Sequence, residues 1–260
     1  MAVWRDFVVR APILKQLYEC RQREFAVGDI VLEAPQPQVS RSVRKSLRKN
    51  EYEPAESYLV RRLVRPGDTV LDLGSGLGLT CIAAAKASGR GRVVGYEANP
   101  AIAPLAERNA RKNGVQVEIR NRAIGVEKGA CEFHLRRSFT ASSVLPSKRS
   151  KPIRIEADSF RDVVDEIQPQ VIACDVEGIE KDVFASANLS SVQWLVVEVH
   201  PEAIGLVGVL KCAQDLADSG LHLVRALCFG QVLVFDRDGS ASAILPFQPD
   251  GRMAGNPSAK

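Results

Sequence analysis

Short apolar runs alternate with longer, half-apolar stretches from Glu51 to Asp236. Thr69–Leu73, Arg92–Glu97, Val117–Ile124, Val171–Asp175 and Trp194–Val199 read as strands. Pro54–Val64, Leu77–Ala87, Ala101–Asn113, Ser159–Ile167, Lys181–Ala187 and Ala203–Ser219 read as helices, with Gly114 and Gly220 as stops. Strand–helix alternation predicts a mostly parallel sheet with right-handed crossovers. After Ile124 the alternation lapses. Ala130–Leu135 and Ile153–Glu156 read as extra strands around a polar loop, Arg136–Lys151, which makes a small β insert. At the far end, Leu221–Phe229 and Val232–Asp236 read as a hairpin around Gly230 and add one antiparallel strand.

The ends break this pattern. Residues 1–50 read as an arm or cap: a short helix over Trp4–Leu17 interrupted by Pro12, then a strand over Phe25–Glu33 broken by Pro35-Gln36-Pro37. Ser40–Asn50 carries Arg41, Arg44, Lys45, Arg48 and Lys49, either a solvated helix face or a contact for an anionic group. Residues 51–240 make the main domain. Residues 241–260 make a tail expected to be flexible, rich in Pro, Gly, Ser and Asn from Pro246 onward. A chain of 260 residues can bury one large α/β core with a small extension.

Charge and cysteine usage narrow the setting. A net charge of +4 permits anionic partners without requiring them. Cys20, Cys81, Cys131, Cys174, Cys212 and Cys228 are scattered, with no C-x-x-C pair, so a reducing, cytoplasmic setting is expected rather than a disulfide framework. Met1–Lys15 lacks the long apolar core of a signal peptide, and no apolar run approaches the roughly 20 residues of a membrane span.

The chemistry concentrates at strand ends. Val70-Leu71-Asp72-Leu73 runs into Gly74-Ser75-Gly76-Leu77-Gly78, and the following strand ends in Glu97. Glycines let the backbone approach a ligand closely, and Glu97 is placed to accept both hydroxyls of a ribose. The spacing is G-x-G-x-G, and Asp72 stands where dinucleotide binders usually keep an apolar residue. An acid there repels a pyrophosphate and suits a cation. S-adenosylmethionine, with its sulfonium and ammonium groups and no phosphate, is therefore the expected cofactor. In an open α/β sheet the ligand lies beyond the carboxyl ends of the strands, where Asp72, Gly74, Ser75, Gly76, Glu97 and the Arg122-Ala123 pair all map. Asp175 and Glu177 close another strand at Asp175-Val176-Glu177-Gly178, on the side that faces the cofactor methyl. Glu198 and His200 end the next strand two positions apart, so both can face one way. A neutral alcohol needs a base as its bond to the methyl forms. His200 or Asp175 could serve, with Glu177 or Glu198 orienting the acceptor. Asp175, Glu177 and Glu198 could also hold a divalent cation. Arg136–Lys151, with Ser142 and Ser143, is the candidate lid, and the arm is a second wall.

These segments together resemble the FkbM family of methyltransferases. The resemblance rests on Glu51-Tyr52-Glu53-Pro54, Pro66-Gly67-Asp68, Val70-Leu71-Asp72-Leu73-Gly74 and Tyr96-Glu97-Ala98-Asn99-Pro100. Asn109, Ala123-Ile124-Gly125, Asp175-Val176-Glu177-Gly178-Ile179-Glu180 and Val197-Glu198-Val199-His200 continue it, so that it covers roughly residues 50–205. It implies a Rossmann-like, seven-stranded, mostly parallel sheet and methyl transfer from S-adenosylmethionine. The usual acceptor is a hydroxyl of a sugar or secondary metabolite. It adds Glu53, Ala98 and Asn99 to the cofactor contacts, beside Asp175. Two positions depart from the family pattern: Gly74-Ser75-Gly76 replaces the frequent Gly-Ala-Asn, and Ala173-Cys174 stands where a lysine is common two residues before Asp175.

Other classes fit less well. Three scattered histidines do not make a zinc centre, and Ser75 lacks the G-x-S-x-G elbow of a hydrolase. A nicotinamide dehydrogenase needs a different glycine spacing. Methyl transfer to nucleic acid or protein, or a non-catalytic binding module, remains open as an alternative. The basic Arg41–Lys49 segment favours a polyanion, and the scarcity of interleaved aromatics opposes one. The expected partner is a small hydroxylated molecule rather than nucleic acid or membrane, in a chain that could form a homo-oligomer.

Overall fold

The structure is a computed structural model that describes residues 21–136, 138–146 and 150–239. The helix expected over Trp4–Leu17 and the tail beyond 240 lie outside the described residues. The described chain begins with a hairpin, β1 (Glu24–Val27) and β2 (Ile30–Glu33), where one strand was expected. Gly28, at φ 59°, reverses the chain between them. Helix α1 (Arg41–Lys49) follows, with the Ser40 hydroxyl accepting the Val43 N–H. Its basic residues are not all solvated. Arg44 is 1% exposed, donates to the Gln22 carbonyl, and lies 5.7 Å from the Phe25 ring centroid, with Arg48 at 5.8 Å. The arm shares a core with the main domain: Phe25, Ile30, Leu32, Val43 and Leu47 pack with Leu77, Ile82 and Leu105.

The remaining elements follow in chain order: α2 (Pro54–Leu63), β3 (Val70–Leu73), α3 (Leu79–Ser88), β4 (Val93–Tyr96), α4 (Ala103–Lys112), β5 (Glu118–Arg120), β6 (Ala123–Gly125), β7 (Gly129–Leu135) and β8 (Lys151–Ser159). Then come α5 (Phe160–Ile167), β9 (Val171–Cys174), α6 (Glu180–Val183), β10 (Trp194–Glu198), α7 (Pro201–Asp218), β11 (His222–Leu223) and β12 (Val232–Asp236). The main sheet has seven strands in the order β11-β12-β10-β9-β3-β4-β5. Strands β5, β4, β3, β9 and β10 run parallel, and β12 is antiparallel to both of its neighbours. This is the Rossmann-like, doubly wound α/β fold that the alternation predicts.

The interior strands β3, β4, β9 and β10 are mostly apolar because both of their faces are covered, as parallel sheets require. Their period of two sorts side chains into two layers. Leu71, Val94, Ile172 and Leu195 pack with Phe160, Phe184 and Leu216 under α5–α7, whereas Val70, Val93, Val171 and Val196 pack with Leu59 and Leu63 of α2. Two sequence expectations change. The run Val117–Ile124 is not one strand: β5 stays in the main sheet, and β6 leaves it to pair with β8 in a separate three-stranded sheet with β7. The terminal hairpin adds its one antiparallel strand as expected, but its first arm is shorter than expected. β12 inserts between β10 and the short β11, and a 3-10 turn over Arg225–Leu227 occupies the rest of the expected first arm. Among the described residues, no helix is long and apolar enough to cross a membrane.

Candidate active site

The glycine turn hangs on the neighbouring strand. The Gly74 and Ser75 N–H groups both donate to the Tyr96 carbonyl at 2.9 Å. Gly74 has φ 89°, and a Cβ there would lie 2.0 Å from the Asp175 carbonyl oxygen, so only glycine lets β3 and β9 end this close together. The turn aims the Gly76 N–H at Glu97, whose Oε2 accepts it at 2.8 Å, while Oε1 accepts the Asn99 N–H at 2.7 Å. Burial pushes the Glu97 carboxyl up to about 7, against the pull of those two bonds. Asn99 thus acts through Glu97, and its own side chain accepts the Ala101 N–H.

Glu53, Gly74, Gly76, Glu97, Ala98, Arg122, Ala123 and Asp175 line one cleft together, as the sequence grouped them. Ile124, Phe133 and Phe139 give it an apolar wall suited to an adenine. Arg122 is held at its edge by Asp158 at 2.8 Å. Asp72 and Ser75 stand behind this cleft. Asp72 is 3% exposed, accepts from the Cys81 thiol at 2.9 Å, and borders a small inner cavity with Glu53, Thr80 and Asp175. Burial pushes Asp72 up to about 6. Glu53 takes a left-handed backbone at φ 44°, and its side chain opens onto both the cofactor cleft and the space beside it. Burial holds its carboxyl above the usual range. The cleft therefore offers carboxylates for a ribose and an ammonium, and an apolar wall for a base. These features fit S-adenosylmethionine.

Beside the cleft lies a wider basin of about 460 Å³. Glu51, Glu53, Glu56, Asp175, Glu177, Glu198 and Glu202 line it with His200, and no lysine or arginine does so among the described residues. The wall supplied by α1 is Ser42, Val43 and Ser46, not its cations. Thr140, from the expected lid, borders both spaces, and Ser142 and Ser143 border the cofactor cleft. The acids press on one another. Burial, with Glu198 beside it, pushes Glu56 up to about 7. Burial and the Glu198 charge raise Asp175, although 39% of its side chain faces the cleft. Burial also raises Glu177. For His200, burial opposes charge, but the Glu180 hydrogen bond and the Asp175 charge prevail and push it up to about 9.

Asp175, Glu198 and His200 each offer one donor atom, all within 4.8 Å, and could gather around a divalent cation. Glu177, expected in that role, is not in the set. A cation would have to displace the second proton of His200.

Sequence reasoning passed over Glu180 as a site residue. It is completely buried, and its Oε1 accepts from His200 Nδ1 at 2.6 Å. The available signal was a second acid just after Gly178, in a segment otherwise read as an ordinary helix start. Tyr52 was missed as well: its hydroxyl accepts the Leu77 N–H at 3.3 Å and steadies the turn.

Residues 72–210, more than half of the chain, match the Methyltransferase FkbM domain. The chain belongs to the FkbM methyltransferase family. A short segment is also similar to ribosomal protein L11 methyltransferases. That of Thermus thermophilus is 49% identical over 55 residues, 21% of this chain and 21% of that protein. That of Chloroflexus aurantiacus is 46% identical over 59 residues, 23% of this chain and 18% of that protein. The chain spans about a fifth of the length of the curated relatives it matches. Among solved structures, it is similar to Pyrococcus abyssi tRNA (uracil-54, C5)-methyltransferase in complex with S-adenosyl-L-homocysteine. The TM-score is 0.49 at 15% identity, over 83% of this chain and 43% of that one. Precorrin-6y C5,15-methyltransferase from Geobacter metallireducens gives 0.44 at 13% identity, over 78% and 92%.

Proposed function

We propose that this methyltransferase transfers the cofactor methyl to a hydroxyl of a small, uncharged or amine-bearing polyol such as a sugar, with His200 as the base. The acidic basin carries this reading. Carboxylates accept hydrogen bonds from hydroxyl groups, and seven of them without a lysine or arginine oppose a phosphate backbone. In this reading residues 51–240 form the catalytic domain, and α1 caps the acceptor basin.

The cofactor supplies an electrophilic methyl on a sulfonium. Glu97 and the glycine turn hold the nucleoside end, and Glu53 with Asp72 attracts the ammonium. Asp175 and Glu198 orient the acceptor hydroxyl toward the methyl in line with the sulfur. Such alignment supplies a large share of the rate. As the acceptor oxygen is methylated, His200 Nε2 would take the hydroxyl proton, so that no charged oxonium has to persist. His200 must begin unprotonated, so turnover should rise with pH toward about 9.

The test is a screen of hydroxylated small molecules for S-adenosylhomocysteine release by the purified chain. Saturable turnover of a polyol, flat in salt, supports the proposal. Methyl incorporation into nucleic acid, with binding that weakens steeply as salt rises, would overturn it. A second reading, methylation of an amino group on a protein, is favoured by the same negative basin and by the short similarity to ribosomal protein L11 methyltransferases. Methylated ribosomal protein, rather than methylated polyol, would select it.

A further inference from the structure

Two parts of the acceptor side that lie apart in sequence are joined by one buried carboxylate. Glu180 stands at the first position of α6, with no exposed surface. Its Oε2 accepts the Gly178 N–H at 2.7 Å, and its Oε1 meets His200 Nδ1 at 2.6 Å. A carboxylate only accepts, so Nδ1 carries the hydrogen and Nε2 is the atom left for other work. Nε2 lies 3.6 Å from Asp175 Oδ1, on the basin side of the ring. Glu180 itself lines neither the cleft nor the basin, so it can act there only through the groups it holds.

We propose that Glu180 is a positioning residue: it fixes the His200 ring with Nδ1 protonated and Nε2 turned to the acceptor, and ties that ring to the turn carrying Asp175 and Glu177. The inference rests on the reading of His200 as the base. The charged groups facing the imidazole are Glu180 from α6, Asp175 and Glu177 from the turn after β9, and Glu198 from β10. Of these, only Glu180 is fully buried and within hydrogen-bond distance of the ring. Its second bond, to Gly178, keeps the carboxylate from rotating. The ring and the acid turn therefore move as one body. A mere structural staple would hold the chain together equally well with the imidazole flipped or with a neutral amide in place of the acid.

The test uses the full chain in chelator-treated buffer, with ¹⁵N-labelled histidine observed by NMR at one fixed pH. The wild type should show a far-downfield, slowly exchanging His200 Nδ1 proton. Glu180→Gln should shift it upfield, and Glu180→Asp should restore part of the displacement. S-adenosylmethionine affinity, read by calorimetry, should stay within twofold across the three proteins. With the best hydroxylated acceptor from the screen, Glu180→Gln should lower kcat by about 10–100-fold at unchanged KM. A wild-type His200 with its hydrogen on Nε2 and Nδ1 bare would overturn the proposal without any variant having to fold. Unchanged kcat in a folded Glu180→Gln would overturn it too. Failure of the wild type to bind S-adenosylmethionine would sink the functional reading instead, and the Nδ1 signal would still decide the Glu180 bond.

Discussion

The cofactor half and the acceptor half of the cleft use carboxylates in opposite ways. On the cofactor side, Glu97 is buried but answered: two backbone N–H groups point at its two oxygens, and each oxygen keeps lone pairs for a ribose. On the acceptor side, Glu56, Asp175, Glu177 and Glu198 face one another with His200 as the sole cationic group lining the basin among the described residues. The first arrangement is preorganised and leaves little to adjust when ligand arrives. The second stores repulsion, relieved by protons or by hydroxyl and ammonium groups of an incoming acceptor. Backbone geometry sets up one site, and side-chain electrostatics sets up the other.

The contrast can be broken most sharply at the acceptor side. His200→Gln should cut kcat by about 10²–10⁴-fold while S-adenosylmethionine affinity, measured by calorimetry, holds. An equal loss in affinity would merge the two halves into one. On the cofactor side, Glu97→Ala removes the ribose acceptor and strands the Gly76 and Asn99 N–H groups. S-adenosylmethionine binding should weaken about 100-fold or more, given roughly 1.5–3 kcal/mol for each hydrogen bond to a charged group. Retained micromolar binding would remove Glu97 from its role. Gly74→Ala touches both halves at their seam. The added methyl meets the Asp175 carbonyl in a left-handed backbone, and a loss of about 1–3 kcal/mol in urea unfolding is expected.

The remaining test is the pH dependence of stability, whose sign is opposite to that of ordinary paired acids. The folded chain keeps protons on Asp72 to about 6, on Glu56 and Glu97 to about 7, and on His200 to about 9. The unfolded chain releases them near 3.8, 4.5, 4.5 and 6.5. The native state therefore binds more protons throughout that span, and stability must fall as pH rises. The carboxyl contributions fade between about 4 and 7, and the His200 contribution between 6.5 and about 9. Melting temperatures at pH 5.5, 7 and 9 should decline in that order, and a maximum at pH 9 would contradict the protonation pattern.

Much of this was legible in sequence, for local reasons. Short apolar runs with an acid at or near their end marked β3, β4, β9 and β10 and the side of the sheet where the chemistry gathers. Other features depend on partners far along the chain. Glu180 is buried because His200, twenty residues on, needs an acceptor, and no periodicity announces that. Arg44 looks like part of a solvated cationic face until Phe25, from the preceding hairpin, covers it. The break between β5 and β6 falls at the polar Asn121-Arg122 pair, and its cause is distant: β8 pairs with Ala123–Gly125. Asp72 is set behind the cleft by its thiol partner Cys81, nine residues later in the first turn of α3, which nothing in the local pattern announces.

The place of β12 also governs how the molecule can be assembled. It slots between β10 and β11 although it is the last strand in sequence among the described residues, so the Leu195-Val196-Val197 edge stays bare until Gln231 and the residues after it have emerged. A chain stopped short of that point exposes an unpaired apolar strand, the kind of edge through which proteins add foreign strands and aggregate. β12 is thus the clasp of the fold: synthesis must pass Asp236 before the sheet can close, and a truncation there threatens solubility before it touches chemistry.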